Sequence, residues 1–206
     1  MRGLAAGSLL VVVAGCLPSG SDAPVGSDAP DEQPTEAPAA ATTWEEQAAA
    51  IDGVVDYRQE RPDLLSQEHQ SGPLQYEVLP PVGGPHNSAW LNCQGEVYSE
   101  QVPNEHAVHS LEHGAIWITY RPDLASDQVA ALAQRVQGNS HLFMSPFPGQ
   151  DAPISLQTWG YQLRVEDAAD SRIDEFIRIL RVNASPEGPN APCSGGVSVT
   201  GTTPVS

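Results

Sequence analysis

Gly114 divides two patterns that cannot share one element. Before it, residues 104–113 read Asn-Glu-His-Ala-Val-His-Ser-Leu-Glu-His, a helix with Asn104 as its cap and Gly114 as the residue that stops it. After it, Ala115-Ile-Trp-Ile-Thr-Tyr120 is β-branched and aromatic, a strand that Pro122 ends. A chain that passes from helix to strand across one glycine must build a fold from both element types.

The neighbouring segments extend that reading. Thr43 with Glu46 three residues on is a capping box, opening a short helix to Ile51. Leu74 to Leu79 alternates and runs into Pro80-Pro81, which predicts a strand, and Pro80 to Cys93 reads as loop. Ser126 caps a helix with Val129, Leu132, Ala133 and Val136 on one stripe, and Leu142 to Met144 is a short strand closed by Pro146. Ile154 to Trp159 and Tyr161 to Val165 are strands meeting at Gly160, and Ser171 caps a last helix with Ile173, Phe176, Ile177 and Leu180 inward. Helices mixed with short, partly hairpin-linked strands predict an α+β fold, a single compact layer sandwich over residues 44–182.

The flanks are of another kind. Met1-Arg2 and the apolar run Ala5 to Ala14 form a basic-then-apolar export signal over residues 1–15, too short to remain as a membrane span. Val13-Ala14-Gly15-Cys16 resembles the lipobox of bacterial lipoproteins, which makes Cys16 a lipidation site and the expected location the cell envelope. Residues 16–43 are Ala, Pro, Ser, Thr, Gly and acid, too poor in apolar area to offset the entropy of ordering, and predict an acidic tether. The composition of residues 183–206 predicts a loose tail.

Formal charge is −17, and all nine basic residues are arginine. Nucleic acid and anionic lipid headgroups both require positive charge, so neither is an expected partner, and any membrane attachment rests on the lipid anchor. Setting Cys16 aside leaves Cys93 and Cys193, which in an exported domain predict a disulfide pinning the tail. A closure of that length stabilises by roughly 4–5 kcal/mol on loop-entropy grounds.

Pro80-Pro81-Val82-Gly83-Gly84-Pro85-His86, then Gly95-Glu96-Val97-Tyr98, then Val108-His-Ser-Leu-Glu-His-Gly114, and finally Thr158-Trp159-Gly160 form a recognisable series. It resembles the exported bacterial family known as domain of unknown function 3105, from about Asp52 to Leu180. Val82-Gly83 departs from that family's usual Thr-Ser and leaves His86 in place. The resemblance implies motif positions and a fold, and no activity.

His109, Glu112 and His113 stand in H-x-x-E-H order. On a helix, this spacing puts all three on one face, within reach of a single metal ion. His86 is the expected third ligand, with His69, Glu112 and Met144 as further candidates. A Met144 thioether would shift the preference to copper, above all Cu(I), whereas an oxygen ligand would favour zinc. The leading expectation is a protein that binds, senses or delivers a transition metal, copper ahead of zinc.

Two other readings stay open. H-x-x-E-H is also the inverted zinc-protease signature, with Glu112 as general base, although the helix ends at once and no third carboxylate ligand stands out. A metal-free hydrogen-bonded cluster in a structural or partner-binding envelope protein is the third. His106 and His141 carry weaker signals, and Trp90, Trp117, Trp159 and Tyr120 read as core or rim aromatics.

Overall fold

The structure, a computed structural model, describes residues 42–205. The export signal, Cys16 and the linker up to residue 41 lie outside the described residues. The elements in chain order are α1 (Trp44–Ala49), β1 (Val55–Asp56), α2 (Tyr57–Glu60), β2 (Gln94–Val97), α3 (Asn104–Glu112) and β3 (Ile116–Tyr120). They continue with α4 (Ser126–Val136), β4 (Leu142–Pro146), β5 (Ile154–Thr158), β6 (Tyr161–Val165) and α5 (Arg172–Leu180).

The strands form one six-stranded mixed sheet in the order β1-β6-β5-β3-β4-β2. The β2–β4 and β4–β3 pairs are parallel, while β3–β5, β5–β6 and β6–β1 are antiparallel. The α+β layer architecture holds. Alternation along the strands sends Ile116, Ile118, Leu142, Met144, Ile154 and Leu156 to one face, against Leu132 and Val136 of α4 and Ile173 and Phe176 of α5. Trp117 and Phe143 point to the other face, against Val108 and Leu111 of α3. The sheet thus separates an apolar side, where amphipathic helices pack, from the side on which α3 lies.

Several elements depart from expectation. Leu74 to Leu79 forms no ladder: its alternation survives as alternating burial, but Leu74 N–H donates to Glu105 Oε1 and the Tyr76 hydroxyl to the carbonyl of Pro85. β1 has only two residues, too short for any period to show. β2 is interrupted by a register shift at Gly95, a bulge that breaks its alternation. Asn104, Ser126 and Ser171 make no capping hydrogen bond, and Asn104 is itself the first helical residue, behind Pro103. Thr43 does cap α1, and the capping box with Glu46 is complete.

The tail is not loose. The Cys93–Cys193 disulfide is present and closes a separation of 100 residues. Beyond it Val197 N–H donates to the Trp90 carbonyl, Asn92 N–H to that of Val197, and Val205 N–H to His106 Nε2. Together with the loop before β2 this tail covers the outer side of α3, so every residue from Glu105 to Glu112 is buried.

Candidate metal centre

A helix buried on all sides with Glu105, His106, His109, Ser110 and Glu112 in it must find partners for those groups inside the protein. It finds them on loop carbonyls. His106 Nδ1 lies 2.6 Å from Ala89 O and His109 Nδ1 2.7 Å from Asn87 O, and Ser110 Oγ donates to Leu91 O at 2.7 Å. A carbonyl can only accept, so in each histidine Nδ1 carries the proton and Nε2 is left to face inward. His106 spends its Nε2 on Val205 N–H at 2.9 Å, and His109 does not.

The Pro80–Pro85 loop brings His86 to the same place. Gly84 has φ +112°, and a Cβ there would stand 3.0 Å from the Leu64 carbonyl, so a side chain would be strained and crowded. That turn lets Gly84 O accept from His86 Nδ1 at 2.8 Å. A parallel bridge, with Gln70 N–H on His86 O and His86 N–H on Glu68 O, then sets His69 beside His86. Gly114, at φ +85° and against Val182, turns the chain out of α3 into β3 and fixes the end of the helix where Glu112 sits.

The result is a cluster of His69, His86, His109 and Glu112 whose ligand-type atoms all lie within 4.8 Å of one another. The three imidazole rings stand 4.8–5.0 Å apart, with the Trp159 ring 5.9 Å from His86 and the Trp90 ring 5.7 Å from His109. Donors bound to one ion at about 2.1 Å are separated by no more than about 4.2 Å, so a small side-chain adjustment closes the set. His86 Nε2 is 3.0 Å from Glu112 Oε2, yet it is buried and makes no aligned hydrogen bond. The two atoms face each other in the interior at a separation that a cation held by both would also span.

The electrostatics agree. Burial pushes the Glu112 carboxyl up, but the contacts with His86 and Gln67 and the nearby His109 outweigh it, and the carboxyl is held below its ordinary value. Burial, aided by His113 and His86 and opposed by the Asn87 carbonyl, holds His109 down to about 4. Among the described residues no arginine pairs with Glu112, and Arg121 bonds Asp123. The cluster thus offers three imidazoles and one buried carboxylate, the donor set of a divalent ion.

Not every expected ligand arrives. His113, one turn after His109, caps the helix with ψ near 1°, and its Nδ1 bonds Pro192 O at 2.6 Å while Nε2 meets Glu187 at 3.1 Å. It lies against the His109 ring at 4.6 Å but outside the four-residue group. Met144 is fully buried among Ile116, Ile118 and Leu156 on the far side of the sheet, because it shares strand parity with Leu142 and not with Phe143. The thioether argument for Cu(I) falls with it. His141 bonds Ser140 and the Ala191 carbonyl, away from the cluster.

Sequence reasoning missed the groups that aim the ligands: the carbonyls of Gly84 and Asn87, and Gln67 beside Glu112. Asn87 is a hub, since its Nδ2 also holds Val205 O and its Oδ1 accepts from Ala89 N–H. Only its position one residue after His86 could have flagged it. Two clefts of about 270 Å³ lie elsewhere, one behind the Pro81–Pro85 loop and one beside Trp44 and Trp159, and neither includes any of the four residues.

Fold and site together define an α+β domain with a buried histidine–carboxylate cluster that could hold a metal ion. The chain belongs to the family described as "Protein of unknown function (DUF3105)", whose model matches residues 68–195, more than half of the sequence. That span opens one residue before His69 and takes in the whole cluster and both cysteines of the disulfide. Neither a comparison with curated proteins nor one with solved structures gives a match.

Proposed function

We propose that this domain binds one divalent transition-metal ion through His69, His86, His109 and Glu112, and serves to hold or deliver it in the cell envelope. The observation that carries the reading is the buried His86 Nε2, without a hydrogen bond and 3.0 Å from the Glu112 carboxylate. Three nitrogens and an oxygen favour a borderline divalent ion, and in such a set Cu(II) binds more tightly than Zn(II). Anchoring of His86 and His109 through Nδ1 to carbonyls is the supporting contact that metal-ligating histidines use to fix tautomer and ring direction.

No described helix is long and apolar enough to cross a membrane, so attachment would rest on a lipid at Cys16. The hydrolase reading gains no support. Its frame needs His109 and His113 on one ion with Glu112 over a bound water, whereas His113 is committed to Pro192 and Glu187 and lies outside the four-residue group.

Metal content by mass spectrometry, on protein purified without a histidine tag and reconstituted with Cu(II) or Zn(II), tests the proposal. One equivalent is expected in the wild type and none in His86→Ala or His109→Ala. Equal metal in wild type and both variants would sink the assignment.

A further inference from the structure

His69 differs from its three companions in the features that decide whether a ligand stays in place. It is exposed, whereas His86, His109 and Glu112 are buried. His86 and His109 are each fixed by an Nδ1 bond to a carbonyl, and no described residue hydrogen-bonds the His69 ring, which meets the other two rings at 4.9 and 5.0 Å. Its flanking residues Gln67, Glu68 and Gln70 are exposed as well, and the segment is tied down by the two backbone bonds of the bridge to residue 86. A ring already held by packing and a second bond loses little freedom when it takes up an ion. An exposed, unheld ring loses more and lets go more easily.

We infer, on the metal-binding reading above, that His69 is the exchangeable ligand of the centre. The ion enters and leaves at the His69 edge while His86, His109 and Glu112 keep hold of it, and an incoming imidazole-type nitrogen takes the position that His69 gives up. The step is a ligand substitution: one metal–nitrogen bond to His69 breaks, one to the incoming donor forms, and neither electrons nor protons are transferred. A centre with one replaceable ligand at the surface suits transfer to another histidine-bearing acceptor. Closed structural sites have every ligand locked.

The test uses the protein loaded with one equivalent of Cu(II), mixed with excess EDTA, with copper loss followed by visible absorption. Wild type, His69→Ala and His109→Ala are compared, and thermal melts check that each is folded. His69→Ala is expected to retain one equivalent and to release it on the order of 10–100-fold faster than wild type. Free imidazole should slow that release by filling the open position. His109→Ala should retain none. The inference is overturned if His69→Ala holds no copper, releases it at the wild-type rate, or gains nothing from imidazole. Wild-type protein that binds no Cu(II) would remove the metal reading itself and this inference with it.

Discussion

α3 and α5 are helices of equal length, nine residues each, and they solve opposite problems. α5 buries Ile173, Phe176, Ile179 and Leu180 against the sheet and leaves its charged side chains toward water. Each of those apolar side chains contributes roughly 1.5–3 kcal/mol by burial, and nothing polar has to be rescued. From Glu105 onward α3 is buried all round yet carries five polar or charged residues, each of which depends on a particular loop carbonyl, amide or side chain. A helix of the first kind is held by its own pattern, and one of the second kind by what surrounds it. The difference separates a side packed by its own apolar pattern from the side that carries the histidine cluster.

Damage to the two sides should therefore read out differently. The largest effect is expected from Cys93→Ser/Cys193→Ser, which removes a cross-link over 100 residues. Chain entropy puts the loss at about 4–5 kcal/mol. Because the tail covers α3, the Cu(II) affinity that the proposed function assigns should fall together with the denaturant midpoint. A weakened protein with full affinity would show that the cluster stands without the tail. Phe176→Ala on α5 should cost about 3–5 kcal/mol in the same melts and leave copper per folded molecule unchanged. A drop in copper content would break the division between the two sides.

The smallest effect is that of acid on the metal-free domain. His109 is held down to about 4 against an ordinary 6.5, so the unfolded chain takes up this proton first. Stability is then lost as pH falls from about 6.5 to about 4, by no more than roughly 3 kcal/mol. Glu112, held below its ordinary 4.5, acts in the same direction at lower pH: its contribution is present above that value and is lost as pH falls through the folded one. His109→Gln should flatten the upper part of the stability profile and leave the acid limb. A wild-type profile already flat between those values would refute the burial argument for His109.

The apolar side of the sheet was legible in the sequence because period and burial coincide there. The stripes of α4 and α5, the strands β3 to β6 and the Thr43 capping box all follow from local pattern. Leu74 to Leu79 misled because alternation reports which side chains turn inward, and carries no information on whether a ladder partner exists. On the α3 side the residues His69, His86, His109 and Glu112 were all named from sequence, but their grouping was not. Helical spacing favoured His113; Gly114 marks it as the helix end, but no local signal says that its ring turns to Pro192. Strand parity puts Met144 opposite Phe143, but only the packed sheet tells which of the two faces α3. His69 reaches the cluster through a two-residue bridge that leaves no mark in composition.

One consequence lies in the order of synthesis. His106 takes its last hydrogen bond from a residue 99 positions further along, and Cys93 its covalent partner from 100. A ribosome delivers the chain from one end, so α3 emerges long before the residues that roof it. During that interval a helix with this many buried polar groups has no local reason to persist. The centre is thus a late product of biogenesis: a nascent chain paused before Cys193 already contains all four donor residues and lacks the cover that keeps them aimed.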